Sequence, residues 1–419
     1  MIKDIGRLRT IIGVLVKYGF GEVVERLHLE DNIVVSLLAK APKDGEKIST
    51  AQRLFLICEE LGPTFIKFGQ ILSTRPDLVP AEVAEELSRL QDNVQPMPFA
   101  EVRQAVENSL GAPLDERFAA FDSEPLASAS IAQVHRARLR TGEDVAVKVR
   151  RPGIVEIIDS DLNIIYFLAR RLEAMAPEAR MFDLSGIVHE FELAIRRECD
   201  FVNERRNVER FRRMFAGKEF VHIPQSFADY SSRDVLTLEY VSGVKISEAL
   251  DKLPGLDRNA LAKHAVNIVF DMVLRHGFFH GDLHPGNVFV REDGTIIILD
   301  CGMTGRLTPK MRDRAIDVIL AVLQRDWSAV AENFYEMVVH ERPVNYAAFE
   351  ADVVDVMERY FVDRTLAEVE VGGFFMELAQ GAIRHQLKMP PDYTMMFKAL
   401  LTMEGVGKRL APDLDVVAE

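Results

Sequence analysis

The chain has 419 residues, enough for about two or three domains or one large two-lobed unit. Its formal net charge of −14 excludes a general nucleic-acid binder, which needs surplus positive charge to displace counterions from phosphate. Apolar residues at 48% exclude a disordered chain, and three scattered cysteines, Cys58, Cys199 and Cys301, exclude a disulfide framework and fit a reducing compartment.

Ile2, Ile5, Leu8, Ile12 and Leu15 recur at spacings of three and four and predict a helix over the first twenty residues. Lys3, Arg7, Arg9 and Lys17 make that helix basic inside an acidic chain. It reads either as a helix on an anionic membrane surface, with its apolar face among lipid chains, or as a helix packed on its own domain. Residues 31–110 continue as helices. Gly62-Pro63-Thr64 opens one that contains Lys67-Phe68-Gly69-Gln70, Arg75 to Pro80 reads as a loop, and 81–90 and 99–110 are helical again. Near residue 113 the pattern turns β-rich, with runs at 118–121, 131–139 and 145–150, the last two joined by the turn Thr141-Gly142-Glu143-Asp144. Long helical stretches follow at 154–175 and 184–215, then strand signals at 221–223 and 235–241. From Asn259 onward the chain reads as helical, except for two short strands, 288–290 and 296–299, joined by Glu292-Asp293-Gly294. This order predicts an α+β two-lobed architecture with segments 1–112, 113–241 and 242–419. No run of about 18 apolar residues exists, so no spanning helix is expected, and neither is a signal peptide.

The segment richest in chemistry is His280-Gly281-Asp282-Leu283-His284-Pro285-Gly286-Asn287, with Asp300 thirteen residues after Asn287. Asp282 is placed to orient or deprotonate an attacking hydroxyl or water. Asn287 and Asp300 offer hard oxygen ligands for Mg²⁺ on nucleotide phosphates. An Asp, an Asn five residues later and an Asp-x-Gly after a short hairpin, here Asp300-Cys301-Gly302, match the spacing of kinase catalytic and metal-binding loops. Two other readings stand beside this one: a His-x-Asp-x-His transition-metal cluster through His280 and His284, and a merely polar turn.

Val145-Ala146-Val147-Lys148 is close to the V-A-I-K pattern that carries the phosphate-binding lysine of a kinase. Its bland alternative is a strand-end lysine in solvent. Such a lysine needs a helical glutamate partner, and Glu198, Asp200 and Glu204 are all candidates. No G-x-G-x-x-G precedes Lys148. The stretch between the first two predicted strands is Pro125-Leu126-Ala127-Ser128-Ala129-Ser130, followed by Ile131-Ala132-Gln133-Val134-His135. Ala and Ser let backbone approach a nucleotide but adopt positive φ less freely than Gly, so a stiff loop is expected.

Taken together, these motifs resemble the UbiB family of atypical protein-kinase-like proteins, linked to ubiquinone (coenzyme Q) biosynthesis. The resemblance runs from about Arg7 to about Leu414. It rests on K-x-G-Q at Lys67 to Gln70, the alanine-rich loop at Ala127, Ser128, Ala129 and Ser130, E-x-D at Glu198-Cys199-Asp200, His280-Gly281-Asp282 to Asn287, and Asp300-Cys301-Gly302. The resemblance implies that the N-terminal extension covers the active site, with Lys67 paired to Glu198, Gln70 beside it and Asp200 facing the nucleotide. It implies that Lys148 and Glu204 hold the phosphates of ATP or ADP, that Asp282 is the catalytic aspartate, and that Asn287 and Asp300 hold Mg²⁺. Glu239 and Val241, in Leu238-Glu239-Tyr240-Val241, look like the adenine-binding hinge.

An occluded site implies ATPase or small-molecule kinase activity and disfavours phosphorylation of other proteins. The implied setting is the surface of the inner membrane. The implied partners are a quinone-pathway lipid or small molecule, anionic lipid and quinone-biosynthesis enzymes. A C-terminal helical hairpin in the native chain would anchor it there. Cys301 in place of an aromatic, and Gly281 in place of Arg, depart from ordinary kinases. His-Gly-Asp also occurs in aminoglycoside and choline phosphotransferases, so a soluble small-molecule phosphotransferase is the first rival reading. A nucleotide-sensing, lipid-binding scaffold is the second.

Overall fold

The computed structural model describes residues 5–26, 48–73, 78–90, 94–175, 183–340, 343–361, 371–385 and 387–411. Ile2 and Lys3, the whole of the stretch 31–47 read as helical, Arg75 to Asp77 of the predicted loop, and the chain's last residues from 412 lie outside them. The chain forms two compact units, Met1–Asn203 with Phe227–Glu239, and Glu204–Ser226 with Tyr240–Glu419.

The first unit begins with α1 (Ile5–Lys17) and α2 (Gly21–Arg26), then α3 (Thr50–Leu61), α4 (Pro63–Ser73), α5 (Ala81–Leu87), α6 (Phe99–Leu110) and a single turn, α7 (Leu114–Arg117). Local chemistry sets these boundaries. Ser49 and Gln52 form a reciprocal capping box at the start of α3. Gly62, at φ 88°, ends that helix, and Pro63 opens the next, where its missing N–H costs nothing. The sheet follows as β1 (Phe118–Ser128), β2 (Ala132–Leu139) and β3 (Asp144–Arg150). The helices α8 (Ile154–Met175) and α9 (Leu184–Glu198) come next, and α10 (Phe201–Met214) starts in this unit and continues into the second. With β5 (Val235–Glu239) the sheet runs β1-β2-β3-β5, all antiparallel.

Period-two alternation places Val145, Val147 and Val149 of β3 on one face, fully buried with Val102 and Val106 of α6. Lys148 therefore lies on the opposite face. A second core, with Ile11, Leu61, Phe65, Leu87, Leu162 and Phe191, joins α1, α3, α4, α5, α8 and α9.

Part of the apolar side of α1 is covered within this unit: Ile11, Ile12, Val14 and Val16 are buried and Leu8 and Leu15 partly so, while Ile5 is exposed. Its basic character has a local use as well. Arg7 Nε donates to Asp161 Oδ1 at 2.6 Å, and Arg7 Nη2 donates to Asp161 Oδ2 at 3.0 Å and to the Leu61 carbonyl at 2.7 Å. Asp161, on α8, is fully buried.

The second unit holds a mixed sheet, β4-β9-β8-β6, made from β4 (Val221–His222), β6 (Val244–Lys245), β8 (Val288–Val290) and β9 (Ile296–Ile298), with β4 and β9 parallel. A separate ribbon pairs β7 (Phe278–His280) with β10 (Thr304–Arg306). The helices are α11 (Ala249–Lys252), α12 (Arg258–Phe270), α13 (Pro309–Gln324), α14 (Trp327–Met337), α15 (Tyr346–Phe361), α16 (Val371–Arg384) and α17 (Pro391–Leu410). A π-helical turn, Asp271–Arg275, leads from α12 toward β7. The strands β6, β7 and β10 are too short to carry periodicity, and the sequence gives no sign of them. No helix among the described residues is long and apolar enough to cross a membrane.

Removing Arg7 strands a buried carboxylate. Arg7→Met is expected to lower unfolding free energy by about 3–5 kcal/mol in denaturant titration, and adding Asp161→Asn is expected to recover part of the loss.

Candidate functional site

Four consecutive residues of α4 each engage a different neighbour. Lys67 Nζ lies 2.6 Å from Glu198 Oε1, at the end of α9. Phe68 meets Phe191 of α9 edge to face at 4.9 Å between ring centroids. A Cβ on Gly69 would strike Leu90 and come within 3.1 Å of Cys58 Sγ, so α4 packs against its neighbours at a spacing only glycine allows. Gln70 Nε2 donates to the Leu90 carbonyl at 3.1 Å. Burial pushes the Cys58 and Cys199 thiols up to about 12 and about 11, which leaves both inert packing groups.

The three acidic residues that spacing left equivalent are distinct in the structure. Glu198 pairs with Lys67. Asp200 Oδ1 accepts from the Val202 N–H at 3.0 Å and caps the start of α10. Its Oδ2 is 3.7 Å from Arg233 Nε. Glu204 is buried and belongs to the second unit.

Lys148 sits mid-sheet, opposite Val134 on β2 and Leu236 on β5, with its ammonium 5.4 Å from the Phe201 ring centroid. This is not a strand end. The alanine-rich loop needs a correction. Ala127 and Ser128 are not loop residues but the end of β1, paired with Val134 and Gln133, and only Ala129, Ser130 and Ile131 make the connection. The strand continues because it is an edge strand. It absorbs Pro125 through register shifts on both sides, where a central strand would lose a ladder bond.

Arg151 clamps this turn. Its Nε donates to the Ala129 carbonyl at 2.9 Å, and its Nη2 donates to Ser128 Oγ at 2.8 Å and to the Gln95 carbonyl at 2.9 Å. Ser130 is fully buried, and its hydroxyl has no hydrogen-bond partner among the described residues. Behind the turn, Gln133 Oε1 accepts from the Met97 N–H at 2.6 Å, and Gln133 Nε2 lies 2.9 Å from His135 Nε2. His135 Nδ1 is 2.8 Å from the Asp122 carbonyl, so the proton sits on Nδ1 and Nε2 accepts from Gln133. Burial lowers the His135 pKa, consistent with this neutral form. Sequence reading assigned no role to Arg151, Gln133 or His135. For Gln133 and His135 the only signal was a polar residue inside an apolar strand pattern, and Arg151, just past β3, carried none. Glu239 ends β5 opposite Val145, and Val241 follows in the second unit, outside any strand.

In the second unit, β7 delivers His280, and Gly281 N–H extends the ribbon by donating to the Met303 carbonyl at 2.9 Å. Buried His280 accepts the Asp282 N–H at Nδ1 over 3.0 Å and directs Nε2 to the Leu299 carbonyl at 3.3 Å. Both ring nitrogens are thereby engaged, and burial lowers the pKa. His280 orients the loop; it is not offered to a metal. Asn287 Nδ2 donates to the Asp282 carbonyl at 3.3 Å, which turns its amide oxygen the other way.

The β8–β9 hairpin then doubles the chain back. Leu299 N–H donates to the Asn287 carbonyl at 2.9 Å, so Asp300 emerges at the same end as Asn287. Asp300 adopts φ 52°, a left-handed conformation that Asp tolerates better than most residues, and its Oδ1 accepts from Gly302 N–H at 3.3 Å. A Cβ on Gly302 would lie 3.2 Å from Asp300 Oδ1 and 3.9 Å from the Glu204 carboxyl carbon, which places Glu204 beside the Asp300 loop. Asn207 of α10 secures that loop from below through the Cys301 carbonyl at 2.9 Å. Asn287 and Asp300 form an oxygen-only donor set of the kind that suits Mg²⁺.

Asp282 has a partner absent from any local motif. Lys398 of α17 approaches Asp282 Oδ1 to 3.0 Å, and His284 Nε2 is 4.0 Å from Oδ2. Burial works to raise the Asp282 pKa, but Lys398 and the two histidines together outweigh it and hold the carboxyl below its ordinary range. Nothing in the sequence near Asp282 points to a residue 116 positions later.

The ABC1 atypical kinase-like domain matches residues 89–334, and the UbiB helical domain matches residues 353–415. The chain belongs to the UbiB family of atypical kinase-like proteins. A probable protein kinase UbiB of Azotobacter vinelandii is 40% identical over 380 residues, covering 90% of this chain and 71% of that protein. The Sodalis glossinidius counterpart is 37% identical, covering 99% and 77%. Among solved structures, Rv3197 of Mycobacterium tuberculosis, determined with erythromycin, superposes at a TM-score of 0.60 over 91% of this chain and 95% of that one, at 24% identity. That likeness shows the fold, which is kinase-like and α+β. Within the UbiB family match, Lys67 to Gln70 precede the ABC1 segment, and Lys398 lies in the UbiB helical domain.

Arg151→Leu removes three charge-assisted bonds at the Ala129 turn. It is expected to cost about 2–4 kcal/mol of stability and to raise hydrogen exchange of the amides at 128–131 relative to the rest of the sheet.

Proposed function

We propose that this UbiB-family chain is an ATP- and Mg²⁺-dependent ATPase or small-molecule kinase supporting quinone-lipid biosynthesis at the membrane surface. The observation that carries this reading is the convergence, in the second unit, of an ionised Asp282 with Asn287, Asp300 and Glu204 at one end of a ribbon and hairpin.

On this reading Asp282 holds the acceptor hydroxyl or water and receives its proton as the new oxygen–phosphorus bond forms and the bond from the γ-phosphorus to the bridging oxygen breaks, with ADP leaving. Asn287 and Asp300 would hold Mg²⁺, which supplies charge neutralisation at the phosphate oxygens when bound. Lys148 and Glu204 serve the nucleotide phosphates. Ala127, Ser128, Ala129 and Ser130 serve the phosphates as well, with the Ser130 hydroxyl, which has no hydrogen-bond partner among the described residues, as a donor. The backbone at Glu239 and Val241 serves the adenine. Lys67, Gln70, Glu198 and Asp200 regulate access. The Lys67–Glu198 contact supports this role, because it ties the K-x-G-Q helix to the end of the E-x-D helix. The acceptor is a quinone-pathway lipid or small molecule, met at an anionic membrane surface.

ATP hydrolysis is expected to require Mg²⁺, to rise with anionic liposomes and to fall roughly a hundredfold or more in Asp300→Asn. Activity indifferent to liposomes, with a soluble sugar or amine as acceptor, would instead mark a soluble small-molecule phosphotransferase. Lys67→Ala breaks the contact to Glu198 and is expected to change nucleotide affinity by isothermal titration; an unchanged affinity together with unchanged turnover would sink the regulatory role of α4.

A further inference from the structure

The carboxylate at the centre of the proposed chemistry is held by a residue from the far end of the chain. Three positions on one stripe of α17, spaced by three, address the ribbon in succession. Asp392 accepts the Arg306 N–H of β10 at 3.0 Å. Met395 lies against Gly281, where any Cβ would collide with its thioether sulfur. Lys398 then reaches Asp282 Oδ1 at 3.0 Å. The stripe therefore runs from the ribbon's far strand to the catalytic loop and ends on the carboxylate. A side chain at Gly281 would have to displace the Met395 side chain, so the small residue there matches the close seat of α17 on the loop.

The loop from His280 to Asn287 contains no lysine or arginine of its own. Its other candidate cation, His284, uses Nδ1 to accept the Gly286 N–H at 3.0 Å and keeps Nε2 at 4.0 Å from Asp282 Oδ2, beyond hydrogen-bonding distance. Lys398 is therefore the one hydrogen-bonded cation on this carboxylate among the described residues. Both side chains keep about a third of their surface, 31% for Lys398 and 33% for Asp282, so the pair is open to an incoming group. A transferring phosphoryl group is anionic, and so is Asp282. Bringing the two together without an intervening positive charge is opposed by Coulomb repulsion, which a cation hydrogen-bonded to the carboxylate offsets.

We propose that Lys398 is a positioning residue for Asp282, so that the UbiB helical domain completes the phosphoryl-transfer site. This role rests on the reading of Asp282 given above. It acts through the orientation of the carboxylate and the local charge, so its loss falls on turnover and spares nucleotide binding.

The test uses the full chain with Mg²⁺ and ATP, comparing Lys398→Met, Lys398→Arg, Asp282→Asn and the Lys398→Met/Asp282→Asn double variant, with thermal unfolding as a control on folding. Lys398→Met is expected to lower kcat at least about tenfold with KM for ATP changed less than about threefold, and Lys398→Arg to restore most of the loss. In the Asp282→Asn background, Lys398→Met is expected to add little, because the lysine acts through that carboxylate. Lys398→Gln, closer in shape and polarity, serves the same comparison if the methionine variant does not fold. Wild-type turnover that Lys398→Met retains or exceeds, or a full additive loss in the double variant, overturns this role and leaves the phosphotransfer reading standing. Absence of ATP turnover in the wild type itself overturns both.

Discussion

In the helical half of the first unit, the ion pair between Lys67 and Glu198 ties α4 to the end of α9. At 2.6 Å, with 14% and 27% of the two side chains exposed, it is sheltered enough that either partner alone would be a poorly solvated charge. Its geometry is paid for by Gly69. A helix-interior glycine costs about 1 kcal/mol against alanine, and here that cost permits α4 to pack close to Cys58 and Leu90. Phe68 and Gln70 then fall on partners of their own, Phe191 and the Leu90 carbonyl. The motif is a close-packed junction whose polar and apolar contacts are interdependent.

The second unit meets a different constraint. Residues distant in sequence must present oxygens at one place, and backbone pairing does most of the gathering. The β8–β9 hairpin returns Asp300 to Asn287 because its register closes with Leu299 opposite Asn287. The β7–β10 ribbon carries Gly281 beside Met303. Side chains then secure the loops: His280 on the Asp282 amide, Asn287 on the Asp282 carbonyl, Asn207 on the Cys301 carbonyl. Asp300 is held left-handed within this frame, a conformation that persists only where its surroundings over-determine it.

Much of this was legible in the residues. The α+β order, the boundaries of α6 and α8, the placement of Lys148 on the third strand, and the hairpin between Asn287 and Asp300 all follow from periodicity, turn residues and spacing. Other features were not legible for specific reasons. The end of β1 reads as loop in the sequence, because Ala and Ser carry no strand signal and Pro125 argues against one, whereas an edge strand tolerates all three. The strands β6, β7 and β10 span two or three residues, below the length at which alternation means anything. The first helix could be read as lipid-facing or packed, since periodicity reports an apolar face without naming what covers it. Ile11, Ile12, Val14 and Val16 find cover within the unit, while Ile5 of the same helix stays exposed.

The sequence by itself determined which chemistry was available. Carboxylates, an amide and a lysine at kinase-like spacing are local properties of short segments, and local spacing is what turns and hairpins read. It also determined the acidic overall balance, although the average concealed a basic first helix. Only the tertiary structure decided which charges meet. Arg7 finds Asp161, Lys67 finds Glu198, and Lys398 finds Asp282, across 154, 131 and 116 positions respectively. Such pairings are set by helices packing across the fold. The helix stripe that brings Lys398 to Asp282 can be recognised only once Asp392 and Met395 are seen against the ribbon, because no periodicity within α17 says what it will face.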